Sequence, residues 1–278
     1  MVKIEYKIRT VPEREKLLNR LLNDLKDDAD MFKIYTDHEH KGTDWNMMRA
    51  LSDTEPDTTH VVTLEDDVIP SDNFIETVKT IIETRSDNII SLLYNGKCKC
   101  DYSWVKVNVT TGQGIIFPTK YLEDYIQFKK DYIHPDAHPC DTIMCIYAQN
   151  RFNGIFCTNP SLLFHDDEGE SVTWNRDFSL GGEIIRKFRT PESNFKKDIE
   201  NPEKFKDTKY CIDDKHWRYG VLKQGTNLYN EYQSNGILLS ETSYNRDVKP
   251  DIDSFGRFFS FKANNLNFMP QKRREKRN

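Results

Sequence analysis

Apolar positions in the first third of the chain recur in two alternating rhythms. Residues 2–8 place Val2, Ile4, Tyr6 and Ile8 at every second position, the period of a strand, and Arg9-Thr10-Val11-Pro12 closes the run. Leu17, Leu18, Leu21, Leu22 and Leu25 then share one helical face, with Pro12 and Glu13 just ahead of the first turn. Residues 31–35 predict a short strand ending at Thr36-Asp37, 45–51 a helix, and 60–64 a buried strand. Ser71 is expected to cap a helix carrying Phe74, Ile75, Val78, Ile81 and Ile82, and 88–94 reads as another apolar strand. Strands alternating with helices in this way predict an α/β fold: a mostly parallel sheet covered by helices.

The pattern changes after Asn95. Residues 104–109 and 115–117 predict strands around a Gly112-Gln-Gly114 turn, and 118–130 predicts a helix. The Pro- and His-rich loop at 134–139 precedes a helix over 141–150, and short strands are expected at 155–157 and 162–164. Periodicity fades beyond Glu170. Residues 190–209 read as a charged surface stretch, and 217–262 as short aromatic-rich runs without a clear period. The organisation expected is an α/β domain over 1–180 and an irregular, basic C-terminal extension over 181–278.

Composition is polar but not that of a disordered chain, with 37% hydrophobic, 31% charged and 12% aromatic residues. No apolar run approaches the roughly 20 residues that span a bilayer, and the start lacks the apolar stretch of a signal peptide. A cytoplasmic protein is expected, in the host cytoplasm if the chain is viral. The six cysteines are then expected as thiols; zinc held by Cys98, Cys100, Cys140 and Cys145 is a weaker alternative, because their spacing is not that of a zinc ribbon. Charge is unevenly spread. Residues 181–278 hold 20 Lys and Arg against 14 Asp and Glu, whereas the rest hold 20 against 31. A cation suits the acidic part and a polyanion the basic part.

The sharpest chemical feature is His60-Val-Val-Thr-Leu-Glu65-Asp66-Asp67-Val-Ile-Pro70-Ser-Asp-Asn-Phe74. A buried strand runs into three consecutive carboxylates and then into a helix start. Ligands of open α/β sheets bind at the carboxyl ends of strands. Three adjacent acids repel one another there, and a hard divalent cation such as Mg²⁺ or Mn²⁺ relieves that repulsion. The plainer alternative is that the acids decorate a strand end and favour the next helix N-terminus.

This segment resembles the acidic motif of glycosyltransferases of the GT-A fold, a Rossmann-like α/β architecture in which an apolar strand ends in Asp-x-Asp or Glu-Asp-Asp and a Pro-x-x-Phe follows. The order of elements agrees over roughly 2–175, and the specific match is Glu65 to Phe74. The resemblance implies that Asp67 binds a metal bridging the donor's diphosphate and that Asp66 contacts ribose or sugar. It implies nucleotide binding at the ends of the first two strands, here Arg9, Thr10 and Asp37, with Arg9 suited to phosphate and Asp37 to a uracil-like N–H. A late His after a short strand, here His165, is a further metal or diphosphate ligand in many members, though a lone His is also a common structural residue. For an inverting enzyme the general base falls at a helix start, which matches Asp141; the same position suits a helix cap, and His138 is the alternate. A retaining mechanism would need no such base.

The implied activity is metal-dependent hexosyl or pentosyl transfer from a nucleoside-diphosphate sugar, a UDP-sugar favoured, to an acceptor hydroxyl. Two acceptors stay open. One is a hydroxymethylated base in duplex DNA, as for the DNA-modifying enzymes of some bacteriophages, favoured by the basic C-terminal third and the five cations among residues 272–277. The other is a surface glycan. Rival classes are a two-metal phosphodiesterase or nuclease using Glu65-Asp66-Asp67 with His165-Asp166-Asp167, and a sugar- or nucleotide-binding module without turnover. Trp174 suits either stacking on a ligand or packing.

Overall fold

The computed structural model describes residues 2–94, 96, 100–107, 110–133, 139–166, 194–213, 217–222 and 257–262, the backbone alone at 131–133, 139, 140, 142, 146, 217–222 and 257–262. In chain order the strands are β1 (Ile4–Thr10), β2 (Phe32–Thr36), β3 (His60–Glu65), β4 (Val68–Pro70), β5 (Ile90–Ser91), β6 (Trp104–Val107), β7 (Gly114–Pro118), β8 (Tyr132–Ile133), β9 (Ile155–Thr158), β10 (Leu163–His165), β11 (Cys211–Asp213), β12 (Trp217–Leu222) and β13 (Arg257–Lys262). The helices are α1 (Glu15–Leu25), α2 (Thr43–Ser52), α3 (Phe74–Thr84), α4 (Leu122–Asp131) and α5 (Pro139–Phe152). His138, Trp174, Cys98, the expected boundary at 180 and the basic tail lie outside the described residues.

Two compact units divide the chain. The first comprises residues 1–106, 110–122 and 156–213, and the second 107–109, 123–155 and 214–278. The first unit is built on an eight-stranded sheet of order β11-β6-β9-β5-β7-β3-β1-β2. β2, β1 and β3 run parallel, as do β5 and β9, while β7 lies antiparallel between β3 and β5. The α/β expectation holds, with β7 inverted among the parallel strands β2, β1, β3, β5 and β9. Leu21 and Leu25 of α1 and Phe74, Val78, Ile81 and Ile82 of α3 join Ile8, Val62, Leu64 and Ile116 in one buried core.

β1 alternates in sequence but not in burial, because every residue from Glu5 to Thr10 is buried. A central strand with helices on both faces has no solvent side. The buried Lys7 ammonium is satisfied instead by the C-terminal end of α2, donating to Ala50 O (2.8 Å), Asp53 O (2.5 Å) and Thr54 Oγ1 (2.9 Å), and it pairs with Glu5 at 3.0 Å. A cation at a helix C-terminus also opposes the negative end of the helix dipole.

Ser71 does not cap α3. The helix starts at Phe74 after Asn73 in the left-handed region (φ 56°), and the Ser71 N–H donates to Leu162 O at 2.8 Å. Sheet pairing claims that backbone before the helix begins. The expected 118–130 helix is divided: Pro118 ends β7, a 3-10 turn covers Thr119–Tyr121, and α4 follows. The thiol expectation is corrected as well, since Cys100 and Cys211 form a disulfide, while Cys145 and Cys157 are buried thiols. The disulfide takes Cys100 out of the weaker zinc alternative.

The second unit pairs α4 and α5 through an aromatic cluster. The Tyr147 ring lies 5.1 Å from Tyr125 and 5.3 Å from Phe128, and its hydroxyl donates to Asp124 at 2.7 Å. Arg151 also donates to Asp124, at 3.0 Å. β12 lies between β13 and β8, antiparallel to both, so residues read as irregular in sequence contribute two strands. Among the described residues no helix is long and apolar enough to cross a membrane.

Candidate active site

The candidate site forms where β1 and β3 end side by side in the first unit. Arg9 of β1 pairs with Glu65 of β3 in parallel register, so Thr10 stands next to the start of the Asp66-Asp67 turn. Thr10 Oγ1 donates to Asp66 Oδ2 at 2.5 Å. The turn leads into β4, which β10 meets antiparallel with His165 opposite Val68. The Asp166 N–H donates to Asp67 O at 2.7 Å, and His165 Nε2 lies 3.3 Å from Asp67 Oδ2. Backbone pairing therefore delivers a distant imidazole to the end of β3. The fit of β10 against β7 is close, because a Cβ added at Gly114 would stand 1.9 Å from Leu163 Cδ1.

A residue that sequence reasoning missed completes the cluster. Arg14 ends the 3-10 turn Pro12–Arg14, and its Nη1 donates to Asp66 Oδ1 at 2.8 Å and to Asp67 Oδ2 at 2.9 Å. The available signal was its position two residues beyond Pro12, where the chain leaves β1 beside the acidic turn. Arg20, also unforeseen, forms an ion pair with Asp166, one of the acids expected in a two-metal cage.

The carboxylates differ in electrostatics. Burial pushes Glu65 up to about 7, helped by the charges of Asp67 and Asp66 and opposed by Arg9. Burial also raises Asp66, against the pull of Arg14 and the Thr10 hydroxyl. For Asp67 burial is again the largest single influence and acts upward, but His165 and Arg14 together outweigh it and hold the group below its ordinary value. Asp67 is thus the acid best kept as an anion.

The other sequence candidates are placed differently. Arg9 is buried, donates to Gly112 O at 2.5 Å and pairs with Glu65 at 3.3 Å. Asp37 is buried at the end of β2, where its two oxygens accept the Lys41 and Gly42 N–H groups at 3.1 and 2.8 Å and close the turn into α2. Thr10, Asp66, Asp67 and His165 are brought together; Arg9 joins them through Glu65, and Asp37 stands at the neighbouring strand end. Asp141 lies in the second unit. α5 begins at Pro139, so Asp141 is inside the first turn rather than ahead of it, where an acid favours the helix dipole.

Among the described residues no group of three or more His, Cys, Asp or Glu side chains is arranged as a metal cage. The site does fit a cation that takes few protein ligands. Asp67 Oδ1 is buried without a hydrogen-bond partner, and Oδ2 faces the imidazole. Mg²⁺ and Mn²⁺ suit such oxygen-rich sites, and Mg²⁺ commonly uses one or two carboxylates, water and substrate phosphates.

No protein-family model matches the sequence, and no curated protein sequence matches it. Solved structures that align with this chain include S. aureus TarS residues 1–349 in complex with UDP-GlcNAc, at 14% identity and a TM-score of 0.44, covering 62% of this chain and 60% of that one. The 4-diphosphocytidyl-2C-methyl-D-erythritol synthase of Anaerococcus prevotii aligns at 12% identity and a TM-score of 0.36, over 67% and 95% of the two chains. The catalytic domain of Drosophila β1,4-galactosyltransferase 7, in complex with xylobiose, aligns at 11% identity and a TM-score of 0.32, over 81% and 90%.

Proposed function

We propose that this chain is a metal-dependent glycosyltransferase, moving a sugar from a nucleoside-diphosphate donor, most simply a UDP-sugar, to an acceptor hydroxyl. The observation that carries this reading is the convergence of Asp66, Asp67 and His165 at the ends of two adjacent parallel strands, with one Asp67 oxygen buried and unpartnered. That is the edge of an α/β sheet where nucleotides bind. Asp67 and His165 would hold Mn²⁺ or Mg²⁺, whose chemistry there is to neutralise charge on the diphosphate leaving group. Thr10 and Arg14 each hold one oxygen of Asp66, and the role proposed for that carboxylate is contact with the donor's ribose or sugar. Arg9 and Asp37 shape the two strand ends.

In the proposed inverting reaction the acceptor oxygen attacks the anomeric carbon as the bond from that carbon to the diphosphate oxygen breaks. Asp141 takes the acceptor's proton, and the nucleoside diphosphate departs with the bonding electron pair. The acceptor proposed is a hydroxymethylated base in duplex DNA, supported by the excess of cations over residues 181–278.

The test offers a panel of nucleotide sugars with Mn²⁺ to hydroxymethylated DNA and to glycan acceptors, and follows products by mass spectrometry. A hexose or pentose mass added to DNA, with release of nucleoside diphosphate, is expected. Addition to glycan alone would replace the acceptor. Plasmid nicking without sugar transfer would replace the class by a nuclease, and donor binding without turnover by a binding module.

A further inference from the structure

A cleft of about 520 Å³ opens in the first unit where residues 100–103, the Asn159-Pro160 turn and the 195–204 segment meet. None of its lining belongs to the acidic turn. Its walls are fixed by pairing and packing. The Asn159 side-chain amide donates to Cys100 O at 3.1 Å and to Tyr102 O at 2.8 Å, and the Asn159 N–H donates to Ser103 O at 2.9 Å. On the facing wall Phe195 bridges to Ser161 and sets its ring 5.4 Å from that of Phe164. Phe205 is buried with its ring 5.9 Å from Trp104, which anchors the turn Pro202–Lys206.

Two ammonium groups, Lys196 and Lys204, line this cleft. Lys196 pairs with Glu200 at 3.3 Å, but both are exposed, and such surface pairs are weak. Lys204 is half-buried. Among the described residues its ammonium meets the Phe205 ring, 5.0 Å from Nζ, and no carboxylate. The adjacent acid, Glu203, is taken by Lys206 at 2.7 Å. Burial, aided by the charge of Lys196, pushes Lys204 down to about 8, as expected of an ammonium short of counter-charge. Asp101 is the one acid in the lining, and it is exposed. Two like charges beside one cleft favour a doubly charged anion, and a phosphomonoester is close to that charge at neutral pH. Ser103 adds a hydroxyl that can donate to a phosphate oxygen. The cleft is far larger than one phosphate and falls within the range of about 300–1,000 Å³ usual for small organic ligands.

We propose that this cleft is a second ligand site, in which Lys204 and Lys196 hold the phosphate of a phosphomonoester whose organic part lies against Tyr102, Pro160 and Phe195. The site stands apart from the donor reading above and needs no metal. Two sources share this chemistry, a phosphorylated sugar and a mononucleotide.

The experiment titrates glucose 6-phosphate, AMP, inorganic phosphate and plain glucose into the full chain by calorimetry, in EDTA so that no metal contributes. One of the two organic phosphates should bind once per chain and more tightly than inorganic phosphate, and the tighter of them names the source. Plain glucose should not bind. Lys204→Gln should weaken that binding about 10–100-fold, the usual effect of losing a hydrogen bond to a charged group. Lys204→Arg should retain most of it, and Asp67→Asn all of it. A second measurement needs no variant: acetylation of Lys204 by acetic anhydride at pH 8, read by mass spectrometry, should be slowed by the bound ligand. It carries the test if thermal melting shows that Lys204→Gln unfolds. Unchanged binding in Lys204→Gln, or acetylation unaffected by a ligand that binds, overturns the site. Equal loss in Asp67→Asn would place the phosphate at the acidic turn and overturns it too. Binding of inorganic phosphate alone would leave an adventitious ion only, and binding of none of the phosphates would leave no site.

Discussion

His165 stands across the β10–β4 ladder from Val68, and its Nε2 lies 3.3 Å from Asp67 Oδ2. The relationship is made by backbone pairing rather than by side-chain reach, so the imidazole is held where the end of β3 needs it. It also explains why Asp67 stays ionised in a buried position that would otherwise favour its neutral form.

Asp67→Asn should reduce sugar transfer to near background while leaving the melting temperature within a few degrees of the natural protein. The amide keeps the shape but supplies neither the charge nor the hard anionic oxygen a divalent cation uses. Chelation by EDTA should have the same effect and be reversed by Mn²⁺. Full turnover in the variant or in EDTA would remove the metal from the reaction.

Asp141→Asn should slow transfer by about 10²–10⁴-fold, the usual contribution of a general base, with donor affinity nearly unchanged. Its place in the first turn of α5 also gives it a helix-stabilising role, so a melting curve is the necessary companion measurement. A loss of stability matching the loss of rate would assign the residue to the helix. Retention of anomeric configuration in the product would exclude it as the base.

Much of the fold was legible from residue order, and the reasons for the exceptions are specific. Period and apolar content revealed β1, α1, β3 and α3, because each buries a face that the sequence must encode. The alternation of β1 was misleading, because Lys7 and Glu5 satisfy each other and the end of α2 inside the sheet. The acidic turn was legible as three carboxylates at a strand end, and His165 only through resemblance. Arg14 was not, since an arginine in a first turn is common and its partners lie across the chain. Nor was the Cys100–Cys211 bond, whose partners are 111 residues apart. Arg9 and Asp37 were correctly located at strand ends, but their side chains are engaged by local backbone and by Glu65, details that spacing does not carry.

The Glu5–Lys7 pair makes stability depend on acidity in a defined window. Burial acts to raise Glu5 and is the largest influence, yet the Thr58 hydroxyl, the Glu55 N–H and Lys7 overcome it and hold the group at about 2, below its ordinary 4.5. A depressed acid contributes stability that is complete above its unfolded value and is lost as the pH falls toward the folded one. Unfolding free energy should therefore drop between about pH 4.5 and 2, by on the order of 2–3 kcal/mol from this group. Glu5→Gln should be less stable than the natural protein at pH 6 and should show a shallower decline below pH 4.5. Parallel pH profiles for the two proteins in urea titrations would show that Glu5 is not the group responsible.

The basic tail supplies the last expectation, and it concerns the acceptor. Lys272, Arg273, Arg274, Lys276 and Arg277 lie outside the described residues, so the case rests on charge alone. Each cation that neutralises a phosphate of duplex DNA contributes a slope near −0.9 to log K against log salt. Five neighbouring side chains do not all engage at once, so removing residues 271–278 should flatten the slope by about 2–4 units. Phosphate contacts carry no base information, and any preference for hydroxymethylated over plain DNA should survive the truncation. Slow hydrolysis of donor by water, measured without acceptor, should survive too, because the tail is far in sequence from Asp66 and Asp67. Binding of full-length and truncated protein to duplex DNA, each at two or more salt concentrations, separates the outcomes. An unchanged slope would make the tail a bystander, whereas no DNA binding by the full chain even at low salt would move the acceptor from DNA to a glycan.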